Sequence, residues 1–335
     1  MSFKRLDPQD FITSADSVTS PAWSGNVGTL TTFFTSSAQT SGSSGNYYLD
    51  VYNKIPSDST AEVQFSLAYA NKNGGGAVPY NSTITGSTPT STLYGQIRTL
   101  LLEDENAEFN FGGVISDDFY IINVNRARYK EKLMPGTWNL LIDNQDNDAV
   151  VLTDNSNDVS LPEYYGTQRV YQIVSGINGS GSNTSTSGSY GLFFPDTSLF
   201  LLNAKALNLS PSDGGVDIGT ITGSSAAHNE KKLFNLINTS PTAKHFQLMS
   251  EETITSNYIF VRARNSEFNY SENPSFISGS TGEVIHNSFI YNPQTYPTTV
   301  GFYNDSNELL AVAKLSKPLL KDSTKEILIR SKLDF

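Results

Sequence analysis

Residues 298–335 read TTVGFYNDSNELLAVAKLSKPLLKDSTKEILIRSKLDF. Two short apolar runs, 298–303 and 308–315, flank the turn-forming tetrad Asn304-Asp305-Ser306-Asn307, and a break at Pro318 precedes a last run over 326–335. In that last run Ile327, Ile329, Leu333 and Phe335 alternate with Glu326, Arg330, Lys332 and Asp334, interrupted only by Leu328 and Ser331. A period of two puts one set of side chains on one face of a strand. An apolar face that continues to the last residue predicts a docked strand, where a terminus would otherwise fray. The expected arrangement is a three-stranded meander in which the last strand pairs with 308–315.

The same reading extends upstream. Runs rich in Tyr, Phe, Val, Ile and Leu at 46–52, 61–70, 93–102, 119–124 and 138–142 are cut by clusters of Gly, Ser, Asn and Pro, as strands of a sandwich or barrel are. Residues 258–264, YIFVRAR, set Ile259, Val261 and Ala263 against Tyr258, Phe260, Arg262 and Arg264, the pattern of a half-buried strand. One helix is expected over about 229–237, with Asn229 as its cap and Leu233, Leu236 and Ile237 on one face. The fold class is therefore all-β: two antiparallel β-sandwich or barrel-like domains, one short helix and an extended N-terminal arm. Residues 1–25, with Pro8 and Pro21, form the arm, and Trp23 anchors it. Segments 35–46, 81–92 and 178–189 are nearly all Ser, Thr, Gly and Asn. The third supplies an expected loop or linker, 178–190, between a β domain at 26–177 and a second at 191–335. No fixed-period repeat points to a propeller or solenoid.

The 335 residues carry 22 Lys and Arg against 33 Asp and Glu, a formal charge of −11. Nonspecific nucleic-acid binding runs on cationic neutralisation of phosphates, so this balance argues against it. With no cysteine, disulfide frameworks, thiolate zinc sites and cysteine nucleophiles are excluded. The histidines, His228, His245 and His286, are scattered, and HExxH, GxSxG, Gly-Lys-Ser/Thr and GxGxxG motifs are all missing. No catalytic, cofactor-binding or metal-ligating set is expected, and no enzymatic activity. The stretch Asp143-Asn144-Gln145-Asp146-Asn147-Asp148, followed by Asp154, Asn155, Asn157 and Asp158, offers oxygen ligands for a hard cation. It lacks the glycine and closing Glu of an EF-hand loop, which favours a solvated loop. Glu163 beside Tyr164 and Tyr165 has no partner carboxylate of the kind glycoside hydrolysis uses. No apolar run approaches the roughly 18 residues of a membrane span. The first residues, MSFKRLDPQDFITSADS, contain no secretory leader, so folding in the cytoplasm is expected.

The sharpest charge feature lies in NVNRARYKEKLMPGTW, 123–138, where Arg126, Arg128, Lys130 and Lys132 recur at period two. On a strand they share one face, and Pro135-Gly136 supplies a type II turn into a strand carrying Trp138, Leu140 and Ile142. Such a stripe is either an edge strand guarded by charge or a docking surface for an acidic neighbour. With Trp23 and Phe335, these four are the candidate partner-interface residues.

Four stretches together carry a resemblance: FKRLDPQDFITSADSVTSPAW at 3–23, INVNRARYKEKLMPGTWNL at 122–140, EETITSNYIFVRARNSEFNYSENPSF at 251–276, and the closing 298–335. They resemble virion structural proteins of marine contractile-tailed bacteriophages, of the cyanophage and pelagiphage type. The phrase VGFYNDSNELLAVAKL is also similar to hairpin text at the attachment ends of phage tail-fibre proteins, with Phe302 where Leu is usual. The resemblance implies a non-enzymatic structural component of the virion, a tail baseplate or neck assembly protein assembled in the host cytoplasm. Its implied partners are other virion proteins, with several copies per particle. The alternative is a tail-displayed module that binds or degrades host-surface glycans, for which an aromatic-carboxylate cluster is the distinguishing feature.

Overall fold

The structure is a computed structural model that describes residues 3–36, 47–81, 83–84, 86–144, 149–239 and 245–334. Strand dominates its regular structure, so the fold is all-β. The chain divides into two units, one of Val18–Glu252 and one of Met1–Ser17 with Thr253–Phe335.

The larger unit is built on one antiparallel sheet of 13 strands. Eleven of them follow one another in the order Thr29–Leu30, Phe246–Gln247, Asn139–Ile142, Val150–Asp154, Gln168–Ile177, Gly191–Phe194, Leu199–Asn203, Asp118–Val124, Val63–Asn71, Tyr48–Tyr52, Phe34–Thr35. The first and last strands of this order are neighbours in sequence. From Leu30 to Phe34 the chain can reach at most about 14 Å, so the two ends of the sheet must come together and the sheet curls into a barrel-like form.

The central strands are buried on both faces, which is why they read as continuous apolar runs. Phe65, Leu67, Tyr69, Tyr120, Ile122, Phe193, Phe200 and Leu202 belong to one core cluster, while the intervening Ala68, Ala70, Phe119, Ile121, Leu192, Phe194, Leu199 and Leu201 belong to another. The first cluster also takes in Trp23, Trp138 and, from the helix Asn229–Thr239, Leu233, Phe234, Leu236 and Ile237. Against the second cluster packs a longer helix, Pro89–Leu102, through Tyr94 and Leu101.

That second helix corrects the expectation of a single helix and of a strand at 93–102. Its start lies inside the Ser/Thr-rich segment: Thr88 accepts from the Ser91 amide at 3.3 Å, Ser91 Oγ reaches back to the Thr88 amide, and Pro89 occupies the first turn. Tyr94, Ile97 and Leu101 then fall on one face at helical spacing. The Asn229–Thr239 helix is where the sequence placed it, but the Asn229 side chain does not cap it. Asn229 Oδ1 accepts from the Ile221 amide at 3.1 Å and Nδ2 donates to the Ile221 carbonyl at 2.9 Å.

Residues 178–190 are not a linker. Gln168–Ile177 pairs with Ser180–Ser182 and also directly with Gly191–Phe194, so the segment lies inside the sheet. Asn178 and Gly179, at φ 52° and 78°, form the two-residue turn between paired Ile177 and Ser180. Asn-Gly is the preferred pair where both turn residues need positive φ.

In the smaller unit, Met249–Ala263 pairs with Phe11–Pro21 on one side and with Ile327–Asp334 on the other. The last strand keeps the alternation read from sequence, with Ile329 and Ser331 buried and Arg330 and Lys332 exposed. Its partner differs from expectation: Ile329 lies opposite Val261 and Leu333 opposite Asn257. Thr299–Tyr303 and Leu309–Lys314 form a separate hairpin that turns through Asn304-Asp305-Ser306-Asn307, with Asn307 at φ 59°. Buried apolar side chains are few here, and a buried polar knot supplements them. The fully buried Lys321 donates its three ammonium protons to Asn265 O (3.0 Å), Asn269 Oδ1 (2.7 Å) and Asp322 O (2.9 Å).

Candidate functional site

In the larger unit the polypeptide turns out of strand Val63–Asn71 into the run Gly74-Gly75-Gly76. Asn71 Oδ1 accepts from the amides of Asn73 (2.9 Å) and Gly75 (3.1 Å), which draws the run into a tight loop. A Cβ on Gly75 would lie 2.1 Å from the Thr222 carbonyl oxygen, and one on Gly76, at φ 78°, would lie 2.8 Å from the Tyr69 ring. Glycine alone fits backbone brought this close to backbone. The Gly76 amide donates to Gly223 O at 2.8 Å, and the Ala227 amide donates back to Gly76 O. The two loops and the Asn229 clamp on Ile221 thus form one rigid frame at the start of the Asn229–Thr239 helix.

This frame borders a cleft of about 230 Å³. Tyr69 lies in its lining, its hydroxyl donating at 2.8 Å to the buried Asp118, whose carboxyl is pushed up from the ordinary range by loss of solvent. Tyr47 and Tyr80 also line it, edge to face with ring centroids 5.7 Å apart, and they are 38% and 56% exposed. Burial and then the Tyr47 hydroxyl raise the Tyr80 phenol above its usual value. His228, in the left-handed region at φ 46°, places Nδ1 3.2 Å from Glu230 Oε1, and both residues line the cleft. Glu230 is the one carboxylate among the described lining residues, so the set supplies stacking surface and hydrogen bonds, not the carboxylate pair of glycoside hydrolysis.

The basic segment is a different surface, and not the strand the period suggested. Asn125 Oδ1 accepts from the Ala127 amide at 2.9 Å and starts a 3-10 turn over Arg126–Arg128, so the four cations do not share one face. Arg128, mostly buried, pairs with Glu62 at 2.9 Å. Arg126 donates to Tyr129 O at 2.7 Å and lies 4.7 Å over that ring. Lys132 stands 4.0 Å from both Glu131 and Glu251, on the short strand Lys132–Leu133. Arg126 and Lys130 are the two exposed members. The expected Pro135-Gly136 turn is present, with Gly136 at φ 75° and its amide donating to Asp154.

Trp23 is a core residue, 2% exposed, with its indole N–H donating to Phe246 O, and so offers no surface to a partner. Phe335 and residues 145–148 lie outside the described residues. Asp154 and Asp158 serve as turn acceptors, for Gly136 and Ser156 and for Gly181 respectively. Among the described residues no group of three or more His, Asp or Glu side chains could hold a metal ion. No described helix is long and apolar enough to cross a membrane. The cleft residues Tyr47, Tyr80, His228 and Glu230 were not singled out from sequence; the triple glycine at 74–76 was the signal that backbone comes together there. No protein-family model, curated protein or solved structure matches the chain.

Proposed function

We propose that the chain is a non-enzymatic structural component of a contractile-tailed bacteriophage virion, a tail baseplate or neck assembly protein that works through protein–protein interfaces. The observation that carries this reading is the strand Phe11–Pro21. It ends its sheet, pairing only with Met249–Ala263 among the described residues, and eight of its eleven side chains are exposed, Phe11, Ile12 and Val18 among them. A long strand at the edge of a sheet is a template for another chain, and a monomer would need to blunt it. The hairpin of the smaller unit adds Leu309, Leu310 and Val312, all exposed, on strands that pair only with each other among the described residues. The resemblance to virion proteins supplies the kind of particle.

Mass analysis of purified particles tests this reading. Peptides of the chain are expected at a fixed stoichiometry of several copies per particle. A chain that is abundant in the lysate and lost on particle purification contradicts it. The second reading, a host-surface binding module, is favoured by one observation, the tyrosine cleft with one carboxylate among its described lining residues.

A further inference from the structure

The geometry points to the Tyr47–Tyr80 cleft as a binding site for one ring of a neutral sugar. The inference develops the host-surface reading and does not depend on the chain's station in a particle. Three features of the cleft select that chemistry.

The first is size and support. At about 230 Å³ the cleft falls below the roughly 300–1,000 Å³ of sites for drug-sized ligands, which suits a single ring whose substituents extend into solvent. The wall that includes Gly76 and residues 226–230 is held by the glycine frame and the Asn229 clamp, so little ordering of that wall is required on binding.

The second is the pairing of surfaces. Tyr47 and Tyr80 keep much of their area open to solvent while touching each other edge to face, a rigid amphipathic surface with apolar faces and hydroxyl tips. A pyranose has the complementary character, with an apolar face of C–H groups and a rim of hydroxyls. The Glu230 carboxylate, one oxygen of which already meets His228, can accept a ligand hydroxyl, and the His228 imidazole, oriented by Glu230, offers a further donor or acceptor. His228 reaches this place at positive φ, a backbone cost for a non-glycine residue that the surrounding frame sustains.

The third is charge. Among the described lining residues Glu230 is the charged group, and none is Lys or Arg. In a chain of charge −11 such a cleft repels phosphate, sialic acid and uronic acids and leaves neutral hexoses as the class admitted.

The test uses the full-length chain and a panel of methyl glycosides of glucose, galactose, mannose, rhamnose, N-acetylglucosamine and N-acetylgalactosamine, with sialic acid and inorganic phosphate as charged probes. Saturation-transfer NMR and titration calorimetry are run on the parent, Tyr80→Ala and Glu230→Gln, each variant being checked by thermal melting. At least one neutral glycoside is expected to bind, with transfer strongest to its C–H face. Tyr80→Ala should weaken that binding about tenfold or more, as loss of an aromatic anchor does, with the melt preserved because Tyr80 is exposed. The Glu230→Gln change should weaken it while easing the exclusion of the charged probes. Absence of binding across the neutral panel overturns the proposal. So does binding that survives Tyr80→Ala, or a preference of the parent for sialic acid or phosphate.

Discussion

Phe65 and Phe246 stand edge to face with ring centroids 5.4 Å apart, although six strands separate theirs along the sheet. Phe246 also meets Phe200 at 5.8 Å and Trp23 at 5.0 Å, and Trp23 meets Phe65 at 5.9 Å. These rings join strands from the two ends and the middle of the sheet. They are the packing counterpart of the closure that the short 30–34 connection imposes, and the barrel-like form therefore depends on them.

Phe246→Ala is the direct check on that dependence. Truncating a fully buried Phe costs about 3–5 kcal/mol, because the cavity left behind adds to the lost transfer energy. Denaturant unfolding of the larger unit should shift by that amount, whereas Tyr164→Ala, on an exposed ring, should move it by less than about 0.5 kcal/mol. Equal effects from the two substitutions would mean that the sheet does not close through Phe246.

Asp118 gives a pH dependence whose sign follows from its burial. Desolvation raises its carboxyl above 3.8, so the folded chain holds that proton to higher pH than the unfolded chain does. A folded state that binds more protons loses stability as pH rises between the unfolded and folded values, and above the folded value the buried charge is a standing cost. Asp118→Asn retains an acceptor for the Tyr69 hydroxyl without that charge. Relative to the parent, the variant should gain stability as pH rises from the acid side to neutrality in denaturant titrations. A difference that is flat across that range would contradict the assignment.

In the smaller unit, Lys321→Ala leaves three acceptors, one of them on the buried Asp322, without their charged donor. Hydrogen bonds to charged groups contribute about 1.5–3 kcal/mol each, so a loss of about 3 kcal/mol or more is expected in thermal or denaturant melts. Hydrogen exchange should locate the loosening at residues 265–269, and unchanged protection there would refute the role given to this lysine.

The strand text at the carboxy-terminal end of the chain, the Asn304–Asn307 turn, the Pro135-Gly136 turn and the Asn229–Thr239 helix were legible because each rests on local periodicity or local turn chemistry, whereas Phe11–Pro21, read as part of an extended arm, is a strand. Pairing was not. The alternation of Ile327, Ile329 and Leu333 fixes which face is inward but carries nothing on whether the neighbour is the preceding hairpin or Met249–Ala263, more than 60 residues back. The Pro89–Leu102 helix was hidden because its capping residues, Thr88 and Ser91, belong to the same Ser/Thr vocabulary as the loops. Period two misled at Arg126, Arg128, Lys130 and Lys132, where one Asn125 side-chain hydrogen bond turns the backbone. The cleft draws on five separate segments among the described residues, and only the triple glycine beside it stands out in the sequence.

Because Arg128 is tied to Glu62, the interface role of the basic segment comes down to Arg126 and Lys130. Reversing both to Glu should change stability little, since neither side chain is buried, yet should lower incorporation into particles if an acidic neighbour docks there. A folded variant that incorporates at the parent level would make these residues a solvated edge.

The central claim, that this chain is a virion assembly protein, is tested most directly by an image reconstruction of the intact particle. The expected result is density for the chain in repeated copies in the tail, at the baseplate or neck, with the edge of Phe11–Pro21 covered by a neighbouring subunit. A particle without that density, or one in which the strand stands bare in every copy, would contradict it.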